Sequence, residues 1–261
     1  MAYALITGAS KGIGKAMAEQ LAARGFNLLL VARSENLLIK LSQQLKNKYK
    51  IDVQYFEVDL SENYAANRVN MWCIQHKFPV SILINNAGYA VWGMFDKLTL
   101  PEQQNMLQLN INSMVELTYY LIPILKKQPK SFILNVSSTT AYQAVPCISL
   151  YAASKAFVLS FTRGLRYELR SSTISVSCLS PGSTSTSFME RANMQPLEKV
   201  AEKFSMSPEV VAKIGLNGMF QKKSEIIPGF VNKITASVTS ILPKSLLEKI
   251  AAGIYEKNLP N

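Results

Sequence analysis

The stretch Thr7-Gly8-Ala9-Ser10-Lys11-Gly12-Ile13-Gly14 decides the fold of this 261-residue chain. It follows a short apolar run, Tyr3–Thr7, and leads into a segment whose apolar residues have helical spacing. A turn between a buried strand and a helix brings helix N–H groups and the positive end of the helix dipole beside a ligand's phosphates. Its three glycines are spaced for a tight turn and for close approach to a pyrophosphate. The turn therefore predicts a nucleotide-binding strand–helix unit.

The first two-thirds of the chain repeats this strand–helix pattern. Each predicted strand is short and apolar nearly throughout, as in parallel sheets that are covered on both faces. The predicted strands are Tyr3–Thr7, Asn27–Ala32, Val53–Val58, Ile82–Asn85, Phe132–Val136 and Ile174–Leu179. The predicted helices are Gly14–Arg24, Glu35–Tyr49, Glu62–Lys77, Glu102–Lys127 and Ser149–Arg170. The alternation predicts an α/β fold, a single doubly wound Rossmann-type domain over residues 1–261, with a parallel sheet of six to seven strands and helices on both faces.

The pattern changes after Ser180-Pro181-Gly182. Residues 183–206 are first small and polar and then mix charge with Met and Phe, and we predict that they form a substrate lid. Residues 207–261 are predicted to be a C-terminal helical extension, because Ser207-Pro208-Glu209 has the N-cap, proline and acid of a helix start. Apolar residues at helical spacing and interleaved lysines follow. We expect this tail foremost to cover the protein body; packing on another subunit or resting on an anionic membrane are the alternatives.

Composition and charge limit the classes of partner. The chain is 48% hydrophobic and 17% charged, which is too apolar for a disordered protein. It carries 28 Lys+Arg against 17 Asp+Glu, a net charge of +11, which suits an anionic ligand, a membrane surface or nucleic acid. Nucleic acid ranks last and is not predicted as a partner, because the charge is spread along the chain without a basic run.

Cysteine and histidine usage excludes several kinds of chemistry. The three cysteines are far apart, so we expect reduced thiols in a cytosol-like compartment, no Cys-rich zinc site and a cytoplasmic location. The single histidine, His76, excludes mechanisms that need two. We also expect no secretion signal and no spanning helix, because no apolar run approaches the ~18 residues that crossing a membrane requires.

The second predicted strand ends with Leu30-Val31-Ala32-Arg33-Ser34. An NAD site would place Asp or Glu about here to bind the ribose 2′-hydroxyl. This chain has Arg33 instead, and Lys11 lies within the glycine turn. Two cations and no acid suit a 2′-phosphate, so the residues predict NADP(H) rather than NAD(H) as the cofactor.

A second cluster of candidate residues follows the fifth predicted strand. Tyr151 and Lys155 are four apart in a helical segment, so they lie on one face of the helix. A phenol titrates near ~10, and a neighbouring ammonium lowers that pKa toward the range useful for proton exchange. Ser138 ends the strand at the carboxyl edge of the sheet, where ligands of such folds bind, and Ser137 is the neighbouring candidate. The cluster predicts proton transfer to a substrate oxygen held by a serine.

Taken together, these motifs resemble the short-chain dehydrogenase/reductase family, in its ~250-residue subclass. The matching residues lie between positions 3 and about 187, and the tail is similar only in general character, loosely to 3-oxoacyl reductases of the bacterial type. The motifs are Thr7-Gly8-x-x-x-Gly12-x-Gly14, Asp59, Asn85-Asn86-Ala87-Gly88, Ser138 with Tyr151-x-x-x-Lys155, and Pro181-Gly182.

The resemblance implies an NADPH-dependent oxidoreductase that reduces a carbonyl to an alcohol, and a homodimer or homotetramer. The implied catalytic residues are Ser138, Tyr151, Lys155 and Asn110. Asn112 is the alternative to Asn110, but the family pattern favours Asn110, which would hold a water that links Lys155 to solvent. The implied cofactor-binding residues are Gly8, Ser10, Lys11, Gly12, Ile13, Gly14, Arg33, Asp59, Leu60, Asn86, Ala87, Gly88, Tyr151, Lys155, Pro181, Gly182 and Thr186.

The substrate is weakly encoded. The predicted pocket walls are Val91-Trp92-Gly93, Ala141-Tyr142-Gln143 and Ser183–Met194, which are largely apolar and suit a ketone or 3-oxoacyl substrate. A non-enzymatic alternative is a redox sensor or scaffold that binds NADP without turnover, although such relatives tend to lose the tyrosine or the lysine. A sugar-nucleotide epimerase shares Tyr-x-x-x-Lys, but its longer chain and different glycine spacing do not match.

Overall fold

The computed structural model describes residues 2–197, 205–239 and 241–259, so positions 198–204 of the predicted lid and 260–261 of the predicted extension lie outside the described residues. Its strands form one parallel sheet in the order β3-β2-β1-β4-β5-β6-β7. The strands are β1 Tyr3–Thr7, β2 Asn27–Ala32, β3 Val53–Glu57, β4 Val80–Asn85, β5 Ser131–Val136, β6 Ile174–Leu179 and β7 Glu225–Ile226. The predicted doubly wound α/β fold is confirmed, and β7 is the strand that the sequence pattern does not reveal.

Helices cover the sheet on both faces. They are α1 Gly12–Ala22, α2 Glu35–Tyr49, α3 Ala65–Gln75, α4 Leu100–Leu107, α5 Ser113–Lys126, α6 Ser149–Glu168, α7 Phe188–Arg191, α8 Pro208–Phe220, α9 Phe230–Val238 and α10 Lys244–Tyr255. A π-helical turn, Gln108–Asn112, joins α4 to α5, so the long helix predicted over 102–127 is interrupted at its middle. Short 3-10 helices follow β5 at Thr139–Tyr142 and α7 at Gln195–Leu197.

The strands are apolar throughout because each face of the sheet carries its own core. Successive side chains of a strand point to opposite faces. In β1, Leu5 packs into one core, while Ala4 and Ile6 pack into the other. Helices α1, α2 and α8 cover the Ile6 side, and α3, α5 and α6 cover the Leu5 side. The absence of period-two alternation in the sequence follows from this burial on both faces.

The sheet places a crevice between β1 and β4. The chain runs outward from β1 to β3 and then returns to β4 on the other side of β1, which makes this pair the topological switch point. Ligands of open α/β sheets bind beyond the carboxyl ends of the strands at that point. The ends of β1 and β4 are Thr7 and Asn85, so the glycine turn and Asn86-Ala87-Gly88 meet there.

The C-terminal extension contains the helix start that the sequence predicts. Ser207 Oγ accepts a hydrogen bond from Val210 N at 3.3 Å, and Pro208 begins α8. Helix α10 buries Leu247 and Ala251, whereas α9 buries only Ala236 among its nine residues. No helix in the part of the chain that the structure describes is long and apolar enough to cross a membrane.

Candidate active site

A cavity of about 710 Å³ lies beyond the carboxyl ends of β1, β4, β5 and β6, a volume in the range of small-molecule sites. The structure brings almost every predicted site residue to it; Gly14 and Asn110 lie behind its wall. The predicted residues that line the cavity are Gly8, Ser10, Lys11, Gly12, Ile13, Arg33, Asp59, Leu60, Asn86, Ala87, Gly88, Ser138, Tyr151, Lys155, Pro181, Gly182 and Thr186.

The glycine turn leaves no room for side chains where it meets its neighbours. Gly8 and Gly12 have φ angles of 65° and 53°, a region that favours glycine. A Cβ on Gly8 would lie 2.8 Å from Asn86 Nδ2, and one on Gly14 would lie 2.3 Å from the Gly8 carbonyl oxygen. Gly14 lies behind the cavity wall, and its lack of a side chain lets the first turn of α1 pack directly against Gly8.

Thr7 ties the glycine turn to the end of β4. Its Oγ1 accepts hydrogen bonds from Asn86 N at 2.9 Å and Ala87 N at 3.0 Å. In return, Asn86 Nδ2 donates to Thr7 O at 2.9 Å. Thr7 is predicted only as the end of a strand and the first residue of the glycine motif, yet its side chain fixes the two loops that border the cavity. Its position directly before Gly8 is the signal that could have indicated this.

The cationic end of the cavity contains Lys11, Arg33 and Asp59. Arg33 Nη1 lies 3.6 Å from Asp59 Oδ2, and Ser61 donates to Asp59 Oδ1 from its backbone N at 2.9 Å and from its Oγ at 2.7 Å. Desolvation acts to raise the pKa of Asp59, but these hydrogen bonds and the charges of Arg33 and Arg191 outweigh it and hold that pKa below its usual value. Asp59 is thus a charged anchor that orients Arg33.

Arg191 is the residue of the cationic end that sequence reasoning missed. It belongs to α7 in the predicted lid, lines the cavity, and stacks its guanidinium 4.3 Å from the centre of the Tyr89 ring. Burial, and then the positive charge of Arg33, lower the pKa of Arg191. A third cation therefore lies close to Arg33. Nothing in the spacing of residues 183–206 shows that this arginine faces the cavity.

The tyrosine end of the cavity contains Ser138, Tyr151 and Lys155. Ser138 follows β5 and hydrogen-bonds the Tyr151 side chain, and its Oγ also accepts from Thr140 N at 3.2 Å. The neighbouring Ser137 instead donates its Oγ hydrogen to the backbone oxygen of Lys155 at 2.7 Å. Ser138 is thus the serine that contacts Tyr151, and Ser137 joins β5 to the backbone of α6.

Burial dominates the acidity of Tyr151 and Lys155 in the protein without cofactor. It raises the pKa of Tyr151 above the ordinary tyrosine value, while Ser138 opposes the rise and nearby Tyr255 adds to it. Lys155 Nζ lies 5.7 Å from the centre of the Tyr151 ring and donates to Val136 O at 3.0 Å. Burial also lowers the pKa of Lys155 to about 8. The lowering of the Tyr151 pKa by Lys155 together with an oxidised nicotinamide stays a prediction for the protein with bound cofactor.

The π-helical turn settles which asparagine faces inward. Asn110 is buried, donates from Nδ2 to Tyr89 O at 2.9 Å and to Ser154 Oγ at 3.2 Å, and accepts from Tyr89 N at 3.1 Å. Asn112 is exposed and donates to Gln108 Oε1 at 2.6 Å. A Cβ on Gly88 would lie 2.9 Å from Asn110 Oδ1 and 3.3 Å from Lys155 Nζ, so both side chains converge behind Gly88.

The predicted pocket walls are only partly correct. Residues 183–194 supply several lining side chains, but 91–93 and 141–143 do not line the cavity. Trp92 is buried in the core and donates its Nε1 hydrogen to Tyr255 O at 3.3 Å, while Tyr142 hydrogen-bonds Glu225. Phe188, Met189 and Met194 of the predicted stretch form the apolar wall together with Ile148, Leu197, Ile254 and Tyr255.

The residues of this cavity fit a nicotinamide dinucleotide. At one end, a glycine turn with no room for side chains, the N-terminus of α1 and the three cations suit phosphate groups. At the tyrosine end, the hydroxyls of Ser138 and Tyr151 and the amine of Lys155 line the same cavity.

Comparisons with known proteins agree with this site. Residues 2–197 match the family described as short chain dehydrogenase. The chain is 36% identical over 182 residues to a Kluyveromyces lactis very-long-chain 3-oxoacyl-CoA reductase, a match that covers 67% of this chain and 53% of that protein. It is 30% identical over 262 residues to the Danio rerio very-long-chain 3-oxoacyl-CoA reductase-A, covering 97% of this chain and 80% of that protein.

Among solved structures, a short-chain dehydrogenase from Sphingobium yanoikuyae in complex with NADPH superposes with a TM-score of 0.81 at 27% identity. The superposition covers 94% of this chain and 97% of that one. The family match spans the glycine turn, both strand ends at the switch point and the serine–tyrosine–lysine group, so this chain belongs to the short-chain dehydrogenase family and is an oxidoreductase of that fold.

Proposed function

We propose that the protein is an NADPH-dependent reductase that converts a ketone, of the 3-oxoacyl thioester class, to an alcohol. The observation that carries the proposal is the placement of Ser138, Tyr151 and Lys155 at one end of a cavity whose other end is cationic. The similarity to two very-long-chain 3-oxoacyl-CoA reductases supports the substrate class.

The cationic end favours NADP(H) over NAD(H). Lys11, Arg33 and Arg191 all line it, and its carboxylate, Asp59, is paired with Arg33. A 2′-phosphate adds two negative charges that guanidinium groups bind well, whereas an unphosphorylated ribose gains little from them. Helix α7 lies over this end, so we assign residues 183–206 the role of a lid, with Arg191 as its phosphate contact.

When bound, the nicotinamide supplies the hydride. Ser138 then holds the substrate carbonyl oxygen, and Tyr151 donates its phenolic proton to that oxygen as the alkoxide forms. Burial keeps Tyr151 protonated at neutral pH, which suits a proton donor. Lys155 restores the proton and holds the nicotinamide ribose. Asn110, fixed by Tyr89 and Ser154, positions the water through which Lys155 exchanges protons with solvent.

The apolar wall supports an acyl or comparably bulky substrate. Ile148, Phe188, Met189, Leu197 and Ile254 lie along it and provide no charge for a small acid. Burial of each methylene of an acyl chain contributes about 0.8 kcal/mol, so a long chain gains more from this wall than a short one. The reductase should therefore prefer long-chain 3-oxoacyl thioesters.

A cofactor titration and a ketone panel test this function. We expect NADPH to bind at least about tenfold more tightly than NADH, by quenching of protein fluorescence. We expect NADPH oxidation with 3-oxoacyl-CoA esters, with kcat/KM rising with chain length. A steroid ketone and an aliphatic ketone without a thioester serve as matched comparisons. Tight NADPH binding without turnover on any ketone would overturn the reductase proposal and favour the sensor alternative.

A further inference from the structure

Helix α9 turns its apolar stripe away from the protein. Val231, Ile234 and Val238 follow one another at spacings of three and four residues, which places them on one side of the helix. Their exposed fractions are 59%, 47% and 36%, and Ile241, beyond the end of the helix, is 80% exposed. The opposite side of the helix holds Ala236, which is buried. A surface helix normally has the reverse orientation, with its apolar stripe against the core.

The exposed apolar surface continues along the tail. Phe230 is 77% exposed at the start of α9, and Leu242 is exposed between the two helices. In α10, Leu246 and Ile250 are exposed while Leu247 and Ala251 pack against the body. Single exposed apolar residues are common, but a run of large ones over two successive helices is typical of an interaction surface.

The charges around this surface indicate what covers it. Residues 226–250 contain Lys233, Lys244 and Lys249 against a single acid, Glu248, so this stretch carries a net positive charge. Lysines that flank an apolar helix face are attracted to anionic lipid head groups while the apolar side chains enter the acyl boundary. A two-fold interface joins two copies of one patch, so self-association would bring two net positive surfaces together. The pattern therefore favours a lipid surface over self-association.

The same tail reaches the substrate cavity. Ile254 and Tyr255 at the end of α10 line the cavity wall, nine residues or fewer after Leu246 and Ile250. An apolar substrate dissolved in a bilayer would meet the cavity beside the helices that contact that bilayer.

We propose that α9 and α10 form a docking surface for anionic membranes, made of Phe230, Val231, Ile234, Val238, Ile241, Leu242, Leu246 and Ile250. The docking itself does not depend on the proposed function, whereas its use in delivering acyl substrates does. The chain would lie on the membrane surface through these two helices, with its cavity beside the lipid.

Flotation of the full chain with lipid vesicles tests the docking. We expect binding to phosphatidylcholine vesicles that contain phosphatidylglycerol, weaker binding to phosphatidylcholine alone, and weakening by salt. The double variant Ile234→Glu with Val238→Glu should reduce the vesicle partition coefficient at least about tenfold. Two apolar side chains that would enter the lipid are then replaced by charged ones. Met71→Glu, an equally exposed apolar position on α3, is the matched control and should bind as the unchanged protein does.

The measurement separates the proposal from its competitors. NADPH affinity, measured on the same samples, should be equal in all three proteins and reports that each is folded. Failure of the unchanged protein to bind anionic vesicles, or equal binding by the double variant, would overturn the proposal. So would light scattering that shows a dimer converted to a monomer by the double variant without any vesicle binding. Because no substrate is used, these outcomes are independent of the reductase activity.

Discussion

The first helix of the chain, α1, and the tail helix α9 use the same kind of sequence pattern in opposite ways. Helix α1 has apolar residues at helical spacing and buries Met17 and Leu21 completely against the sheet. Helix α9 has an equally regular stripe, but Ile234 and Val238 face outward. Periodicity shows that a helix is amphipathic, and the partner of its apolar face depends on what lies beside it. For α1 that partner is the sheet, and for α9 it lies outside the described chain.

The largest difference between the body and the tail should appear in catalysis, because α6 of the body and α10 of the tail each contribute a tyrosine to the same cavity. Tyr151→Phe should lower kcat by about 10³-fold or more, since the phenolic proton donor is lost, and should leave NADPH affinity unchanged. Tyr255→Phe, in the tail, should change kcat less than about threefold, because burial raises the pKa of Tyr255 and it carries no charge at neutral pH. Stopped-flow NADPH oxidation measures both. Comparable losses of kcat in the two variants would contradict the assignment of Tyr151 as the proton donor.

Truncation of a core side chain should lower the free energy of unfolding far more than truncation of a side chain on the tail. Leu30→Ala, in β2, removes a fully buried side chain and should lower the free energy of unfolding by about 2–5 kcal/mol. Ile234→Ala, on the outward stripe of α9, should change it by less than about 0.5 kcal/mol. Urea denaturation in the absence of lipid gives both values. A large loss for Ile234→Ala would mean that the stripe packs against the protein.

Lys155 should contribute to activity at the expense of stability. Its pKa falls from 10.5 to about 8 on burial, so the folded protein disfavours the charged form. That penalty is present in full below pH 8 and disappears as pH rises toward 10.5. Without cofactor, Lys155→Met should be more stable than the unchanged protein by about 1–3 kcal/mol at pH 7, after loss of the Val136 hydrogen bond, and the advantage should shrink by pH 10.

Urea titrations at pH 7 and pH 10 measure this difference, with exposed Lys97→Met as the control that should show none. A Lys155→Met protein that is less stable at pH 7 would contradict the burial penalty. The same variant should lose turnover, so the two measurements distinguish a catalytic lysine from a structural one.

The smallest expected effect concerns cofactor affinity and Arg191, the cation that the predicted lid adds to Lys11 of the glycine turn. Arg191→Ala should weaken NADPH binding about tenfold and NADH binding by less than about twofold, because one charge-assisted contact to the 2′-phosphate is lost. Arg68→Ala, which removes an exposed arginine paired with Glu62, is the control and should change neither affinity. An equal loss of affinity for NADPH and NADH would show that Arg191 supports the shape of the site but does not contact the 2′-phosphate.

Sequence reasoning predicts the sheet and the motif residues well, because both depend on local features. The strands are short apolar runs, and the glycine turn, Tyr151 and Lys155 are recognisable by spacing alone. The predictions fail where folding decides which side of a segment faces inward. Arg191 reaches the cavity and Trp92 does not, and neither outcome has a local signal. Burial raises the pKa of Tyr151 in the protein without cofactor, and spacing reveals the neighbouring lysine but not this depth of burial.

The π-helical turn at Gln108–Asn112 has a consequence for how this chain tolerates length changes. Such a turn accommodates one residue more than an α-helix does, and each residue rotates the helix by about 100°. It therefore sets the rotational phase of α5 relative to α4. Deleting one residue here would preserve a continuous helix but rotate one part of it relative to the other. Either Asn110 would lose its hydrogen bond to Tyr89, or the face of α5 that carries Leu117 would leave the core. A single-codon deletion in this turn would thus be more damaging than any conservative substitution in it.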